Sequence, residues 1–232
     1  MEAKFQKSVL QNAAKEPHQL APRLANPVLD TVADAVAHAS DAKIVGFDSV
    51  KLQHGVRLIL EAIGENPQRE GLLETPARVA RLFQELTSGL DSDPASQITC
   101  EFVEKDAGLV LVKDITFNST CEHHILPFHG VAHVAYMPRE GRITGLSKLA
   151  RVVEVASKRL QVQERMTAQI AQAMVDKLDP LGVYVVVEAE HSCMSLRGIK
   201  KPGSRTITTY ARGIFQENVA LRAELLNLIQ KD

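Results

Sequence analysis

Three changes of pattern along this 232-residue chain predict an α+β fold with a mainly antiparallel sheet. Apolar residues recur at helical spacing from Ser49 to about Leu86, then alternate with polar ones from Leu109 to Pro138. Helical spacing then returns for two segments before a last pair of strands and a helical tail.

Residues 1–45 carry Pro17, Pro22 and Pro27 among Ala–Asp stretches and read as a weakly ordered extension with one short helix around 29–40. Val50, Val56, Ile59, Leu60 and Ile63 share one face of the first long helix. A Gly/Asn/Pro break follows, and a second helix opens with Thr75 as N-cap and Pro76 in its first turn, where the missing N–H costs little. This helical region takes residues 46–95, ahead of a domain over 96–232. There, "LVLVKDITFNS" and "GVAHVAYMP" alternate as half-buried strands do, with about ten connecting residues between them. "GLSKLARVVEVASKRL" and "QERMTAQIAQAMVDKL" read as amphipathic helices, "GVYVVVEAEHSC" and "SRTITTYARGIF" as strands, and "NVALRAELLNLI" as a closing helix.

The formal net charge of −1 provides no overall basic field, which argues against a generic nucleic-acid binder and leaves room only for a local anion pocket. Cys100, Cys121 and Cys193 are an odd and sparse set, unlike a disulfide framework. The first twenty residues lack the apolar core of a secretory signal, and no apolar run approaches the roughly 18 residues needed to span a bilayer. A cytoplasmic protein with free thiols and no membrane partner is expected.

The chemistry concentrates in "STCEHHILPFHG", Ser119 to Gly130. Cys121 and His124 are spaced so that one turn can aim both at one ion, and "EHSC" offers His191 and Cys193 at the end of another strand, on one face if the strand continues. Zinc favours thiolate and imidazole, and a catalytic zinc keeps three protein ligands and one open position. Cys121, His124 and Cys193 would make such a set, leaving His123 and His191 for acid–base work. On spacing alone the alternative stays open, because buried free cysteines are common and inert; Cys100, with no histidine nearby, is expected to be one. Ser147 stands as an N-cap with Lys148 and Arg151 in the first turn, either a capped helix with solvated charges or a site where a phosphate reverses an unfavourable dipole contact. Arg197, Lys200 and Lys201 add positive charge beyond Cys193. Gln163 and Glu164 open the next helix, where an acid suits the dipole; a carboxylate there also matches the paired donors of a guanine edge.

Six motifs in order, "REGLLETPARVA", "CEHH", "GLSKLARVVE", "QVQER", "HSC" and "RGIKKPGS", resemble GTP cyclohydrolase I from about Ser49 to Phe215. The resemblance implies a tunnelling fold, an antiparallel sheet with two helices packed on one face behind an amino-terminal helical region. It implies one zinc per subunit on Cys121, His124 and Cys193, and proton transfer by His123, His191 and Ser147. It sets Ser147, Lys148, Arg151 and Arg197 on the triphosphate and ribose, Gln163 and Glu164 on the ribose–guanine part, and Arg78 and Arg81 on the triphosphate from a neighbouring subunit. The implied reaction opens the imidazole ring of GTP, releases formate and yields 7,8-dihydroneopterin triphosphate, the first step of pterin biosynthesis of the folate or tetrahydrobiopterin type. The implied assembly is a homodecamer with active sites between subunits. His129 and Tyr210 depart from the usual residue types, neither of them at a metal or acid–base position. Two rivals are a zinc-stabilised scaffold, disfavoured because structural zinc usually takes four protein ligands, and a tunnelling-fold enzyme for another pterin or deazapurine, disfavoured by Glu164 and the triphosphate cations.

Overall fold

The computed structural model describes residues 46–231, so the extension expected over 1–45 and its helix around 29–40 lie outside the described residues. Helix α1 (Ser49–Ala62) is capped by Asp48, whose carboxylate accepts the Lys51 N–H at 2.9 Å. Helix α2 (Thr75–Leu86) starts one residue earlier than expected. Glu74 is its N-cap without a side-chain bond, Thr75 is its first residue, and Pro76 follows where no intrahelical donor is lost. The two helices pack on each other. The stripe predicted for α1 forms but stays largely open: Val56 is buried, whereas Val50 is 78% and Ile63 71% exposed.

The strands are β1 (Glu101–Val103), β2 (Val110–Cys121), β3 (Leu126–Met137), β4 (Arg142–Thr144), β5 (Leu160–Gln161), β6 (Gly182–His191) and β7 (Arg205–Gly213). β1 and β4 form a small antiparallel pair, and the main sheet has the order β5-β2-β3-β6-β7. Every pairing in it is antiparallel except that of the two-residue β5 with the end of β2, where Cys121 faces Gln161. The β2–β3 hairpin is longer than its alternation suggested. Both strands run into the Cys/His cluster, and only Glu122 to Ile125 separate them. A bulge near Lys113 and Asp114 puts Asp114 in the left-handed region at φ 59°, and its N–H donates to Nδ1 of buried His133 at 3.2 Å.

Helices α3 (Leu146–Ser157) and α4 (Gln163–Leu178) pack on one face of this sheet. Phe117, Phe128, Val134 and Tyr136 from the strands meet Leu149, Val153, Met166, Ile170 and Met174 from the helices. Burying each such side chain contributes about 1.5–3 kcal/mol. The opposite face is covered at one end, where Phe215 of the helical turn Ile214–Glu217 and Leu225 of the closing helix α5 (Val219–Gln230) sit on Ala135, Tyr184 and Val186. Gly130 allows β3 and β6 their close approach: a Cβ there would lie 1.9 Å from the Glu188 carbonyl oxygen. Among the described residues no helix is long and apolar enough to cross a membrane.

Candidate active site

Three chain segments converge at one end of the sheet. Cys121 is the last residue of β2 and is 5% exposed. His123 and His124 stand in the turn that follows, which the Ile125 N–H closes on the Cys121 carbonyl at 2.9 Å. Cys193 arrives from β6, though not on the strand as expected: β6 ends at His191, and a helical turn over Ser192–Ser195 swings Cys193 inward. One ligand atom from each of Cys121, His124 and Cys193 lies within 4.8 Å of the others. Burial, and then the neighbouring Cys121 thiol, push the Cys193 thiol above its ordinary range. A divalent cation between the two sulfurs removes the resistance of Cys193 to ionisation. The donor set therefore fits a metal ion.

Cys121, His123, Glu164, His191, Cys193 and Thr206 line a pocket beside this cluster. The His191 ring stacks on Phe128, with centroids 4.5 Å apart and planes at 4°, and burial lowers its pKa against the opposing charge of Glu164. Its Nε2 is 2.7 Å from Oε1 of Gln163. The Gln163 amide nitrogen faces three oxygens, Val187 O at 3.0 Å, Thr206 O at 3.0 Å and Thr208 Oγ1 at 3.1 Å. That fixes the amide orientation, so His191 donates from Nε2 and keeps its lone pair on Nδ1. Gln163, expected on the substrate, borders the pocket but spends both polar ends in the interior. His123 is exposed, with Nδ1 3.9 Å from the Cys121 sulfur. Arg197 places Nη1 2.7 Å from Nε2 of His124, beside the cluster.

The remaining expected residues are not brought to this pocket within one chain. Gly145 is the N-cap of α3, so Ser147 is a first-turn residue and not the cap. Lys148 donates to Thr99 Oγ1 at 2.7 Å, and Arg151 lines a different cleft with Lys113 and Thr116. The other end of α3 adjoins the cluster, because Ser119 donates to the Ser157 carbonyl at 2.7 Å. A 12-residue helix is about 18 Å long, which sets Ser147 and Lys148 far from Cys121. Arg78 and Arg81 are exposed on α2. Cys100, expected buried, is exposed just before β1, because only its carbonyl turns inward, to Thr144 Oγ1 at 2.7 Å. His129 is exposed, and Tyr210 packs against the core with Arg212 over its ring at 4.3 Å. Sequence reasoning missed the Phe128 stack, whose signal was the β3–β6 register that pairs Phe128 with His191.

The profile of the family described as GTP cyclohydrolase I matches residues 52–230. The GTP cyclohydrolase 1 of Streptococcus gordonii is 62% identical over 185 residues, which cover 80% of this chain and 99% of that protein. Its counterpart from Pelotomaculum thermopropionicum is 59% identical over 184 residues, covering 79% and 98%. A crystal structure of the archaeosine synthase QueF-Like in the apo form matches at a TM-score of 0.40 and 18% identity, over 47% of this chain and 97% of that one, too distant to bear on the argument. A family match across most of the described chain, joined to relatives this similar over nearly their whole length, makes the conclusion direct: the chain belongs to the GTP cyclohydrolase I family.

Proposed function

We propose that this chain hydrolyses the guanine imidazole ring of GTP, releases carbon 8 as formate and rearranges the remainder to 7,8-dihydroneopterin triphosphate, with a zinc ion on Cys121, His124 and Cys193. The convergence of those three donors beside a pocket holding Glu164, His123 and His191 carries the reading. Two sulfurs and one imidazole suit zinc, and three protein ligands leave a position open. Zinc, when bound, supplies water activation near neutral pH.

The chain's own groups do the rest. Glu164, exposed in the first turn of α4, accepts the N1–H and exocyclic amine of guanine and orients the base. His191, kept neutral by burial and committed at Nε2, takes a proton through Nδ1. His123 delivers a proton to a ring nitrogen as water adds at carbon 8. Ser147 serves the proton transfer of the ribose rearrangement. Arg197 holds the anionic side near the metal ligands, while Lys148, Arg151, Arg78 and Arg81 bind the triphosphate. Binding energy from that remote group holds the reacting base in place.

The distance between the two ends of α3 supports a site completed by a neighbouring subunit in a tunnelling-fold homodecamer, since one chain presents the metal pocket and the anion residues about one helix length apart. The free thiols suit a cytoplasmic setting. Incubating the purified full chain with zinc and GTP tests the reading. Formate and a fluorescent oxidised pterin should appear together, and their absence from a zinc-loaded sample would overturn it.

A further inference from the structure

The turn Glu122 to Ile125, which presents two histidines and follows Cys121, is held in an unfavourable shape. Ile125 adopts φ 55°, a left-handed conformation rare for a β-branched side chain, and half of its side chain faces solvent, so its own packing does not enforce it. Two backbone bonds hold the turn, the Ile125 N–H to Cys121 O and the Glu122 N–H to Gln161 O at 3.0 Å. The third restraint is a side chain. Arg165, on the first turn of α4, donates from Nε to Gln161 Oε1 at 3.0 Å, from Nη2 to Leu160 O at 3.2 Å, and from Nη2 to the Glu122 carboxylate. Gln161 is fully buried and its amide nitrogen is bound to Ala156 O at 2.8 Å and Gln169 Oε1 at 2.7 Å, so its oxygen has a fixed direction.

We propose that Arg165 is a positioning residue for the metal centre, acting through Glu122. Its guanidinium ties the strained turn to a rigid anchor made by β5, the end of α3 and the start of α4, and so presets Cys121 and His124 for the ion before it arrives. The planar fork matters, because one group must reach a side-chain amide, a backbone carbonyl and a carboxylate at once; a lysine ammonium on a flexible stem lacks that geometry. Isolated exposed ion pairs contribute little to stability. This pair is partly open to solvent, at 44% and 34% exposure, so its expected effect falls on the turn and not on the fold.

The inference rests on the zinc reading above, and the experiment separates the two. Zinc affinity is measured by competition with a chelator for the full-length protein and for Arg165→Met, Arg165→Lys, Glu122→Gln and the Arg165→Met/Glu122→Gln double variant. Melting of the metal-free forms is recorded alongside. Groups that orient metal ligands change metal affinity by about 10- to 100-fold when removed. Arg165→Met and Glu122→Gln should each weaken zinc by that factor, Arg165→Lys should not rescue it, and the double variant should lose no more than either single one. Metal-free melting should stay unchanged. Unaltered zinc affinity in Arg165→Met, additive losses in the double variant, or a matching drop in metal-free melting would each overturn the role. If the unmodified protein itself binds no zinc, the zinc reading fails, and this inference fails with it.

Discussion

Substitutions at the proposed metal donors Cys121, His124 and Cys193 should differ in outcome from one at His123, the proposed proton donor. Cys193→Ala removes one of three proposed donors, and among the described residues no fourth donor lies within 4.8 Å of all three. Metal content and turnover should vanish together, as measured by atomic absorption and formate release. His123 stands at the edge of the cluster as an exposed side chain, so His123→Ala should keep most of its zinc yet lose roughly 10²-fold or more in kcat, the scale of acid–base catalysis. Cys100→Ala is the control. Cys100 is exposed and belongs neither to the donor cluster nor to the pocket lining, so metal and turnover should be unchanged. Normal zinc occupancy in Cys193→Ala would remove that residue from the ligand set.

The strands are exacting at two points. β3 and β6 come so close at Gly130 that any Cβ meets the backbone of Glu188, a partner that cannot rotate away. Gly130→Ala should therefore cost about 1–3 kcal/mol, the usual range for overpacking, as a lowered midpoint in urea with a similar slope. A midpoint equal to the unmodified chain's would show that the strands separate freely. The second point is His133, whose Nδ1 accepts from the bulge residue Asp114 and whose pKa is lowered chiefly by burial. A histidine depressed in the folded state binds fewer protons there than in the unfolded chain, where its pKa is about 6.5. Its contribution to stability is full above about 6.5 and is lost as pH falls from there through the folded value. His133→Asn keeps an acceptor near the Nδ1 position but cannot take up the proton. Thermal melts from about pH 7.5 down to 5 should fall less steeply for that variant than for the unmodified protein, and parallel curves would refute the assignment.

In the whole molecule, the residues proposed to bind the triphosphate stand apart from the pocket proposed to hold the metal. Lys148 and the cluster lie at opposite ends of α3, and the apolar stripe of α1 is uncovered in one chain. Both fit an assembly in which one subunit's pocket borrows cations from the next. Lys148→Ala and Cys193→Ala chains should each be inactive alone. Unfolded together and refolded as a mixture, they should regain part of the activity, because some sites then combine an intact metal half with an intact anion half. No recovery in mixed assemblies of normal size would place both halves in the same subunit.

Periodicity and local chemistry made much of this protein legible without a structure. The switch from 3.6- to 2-residue spacing marked the helices and strands. The Cys-x-x-His and His-x-Cys spacings marked the donors that meet within 4.8 Å. These are short-range properties, set by which side chains share a turn or a strand face. Long-range direction was not legible. Cys193 was expected on a strand and comes from a helical turn, Ser147 was expected to cap α3 and lies inside it, and Cys100 was expected buried and is exposed. Gln163, expected at the ribose–guanine part of the substrate, lines the pocket, and three acceptors from β6 and β7 hold its amide nitrogen while its oxygen meets His191. For Gln163 and Cys100 the contacts come from residues distant in sequence. A hydrogen bond satisfied across a sheet outweighs a local preference of a few tenths of a kcal/mol, and only the folded chain specifies which distant groups are in reach.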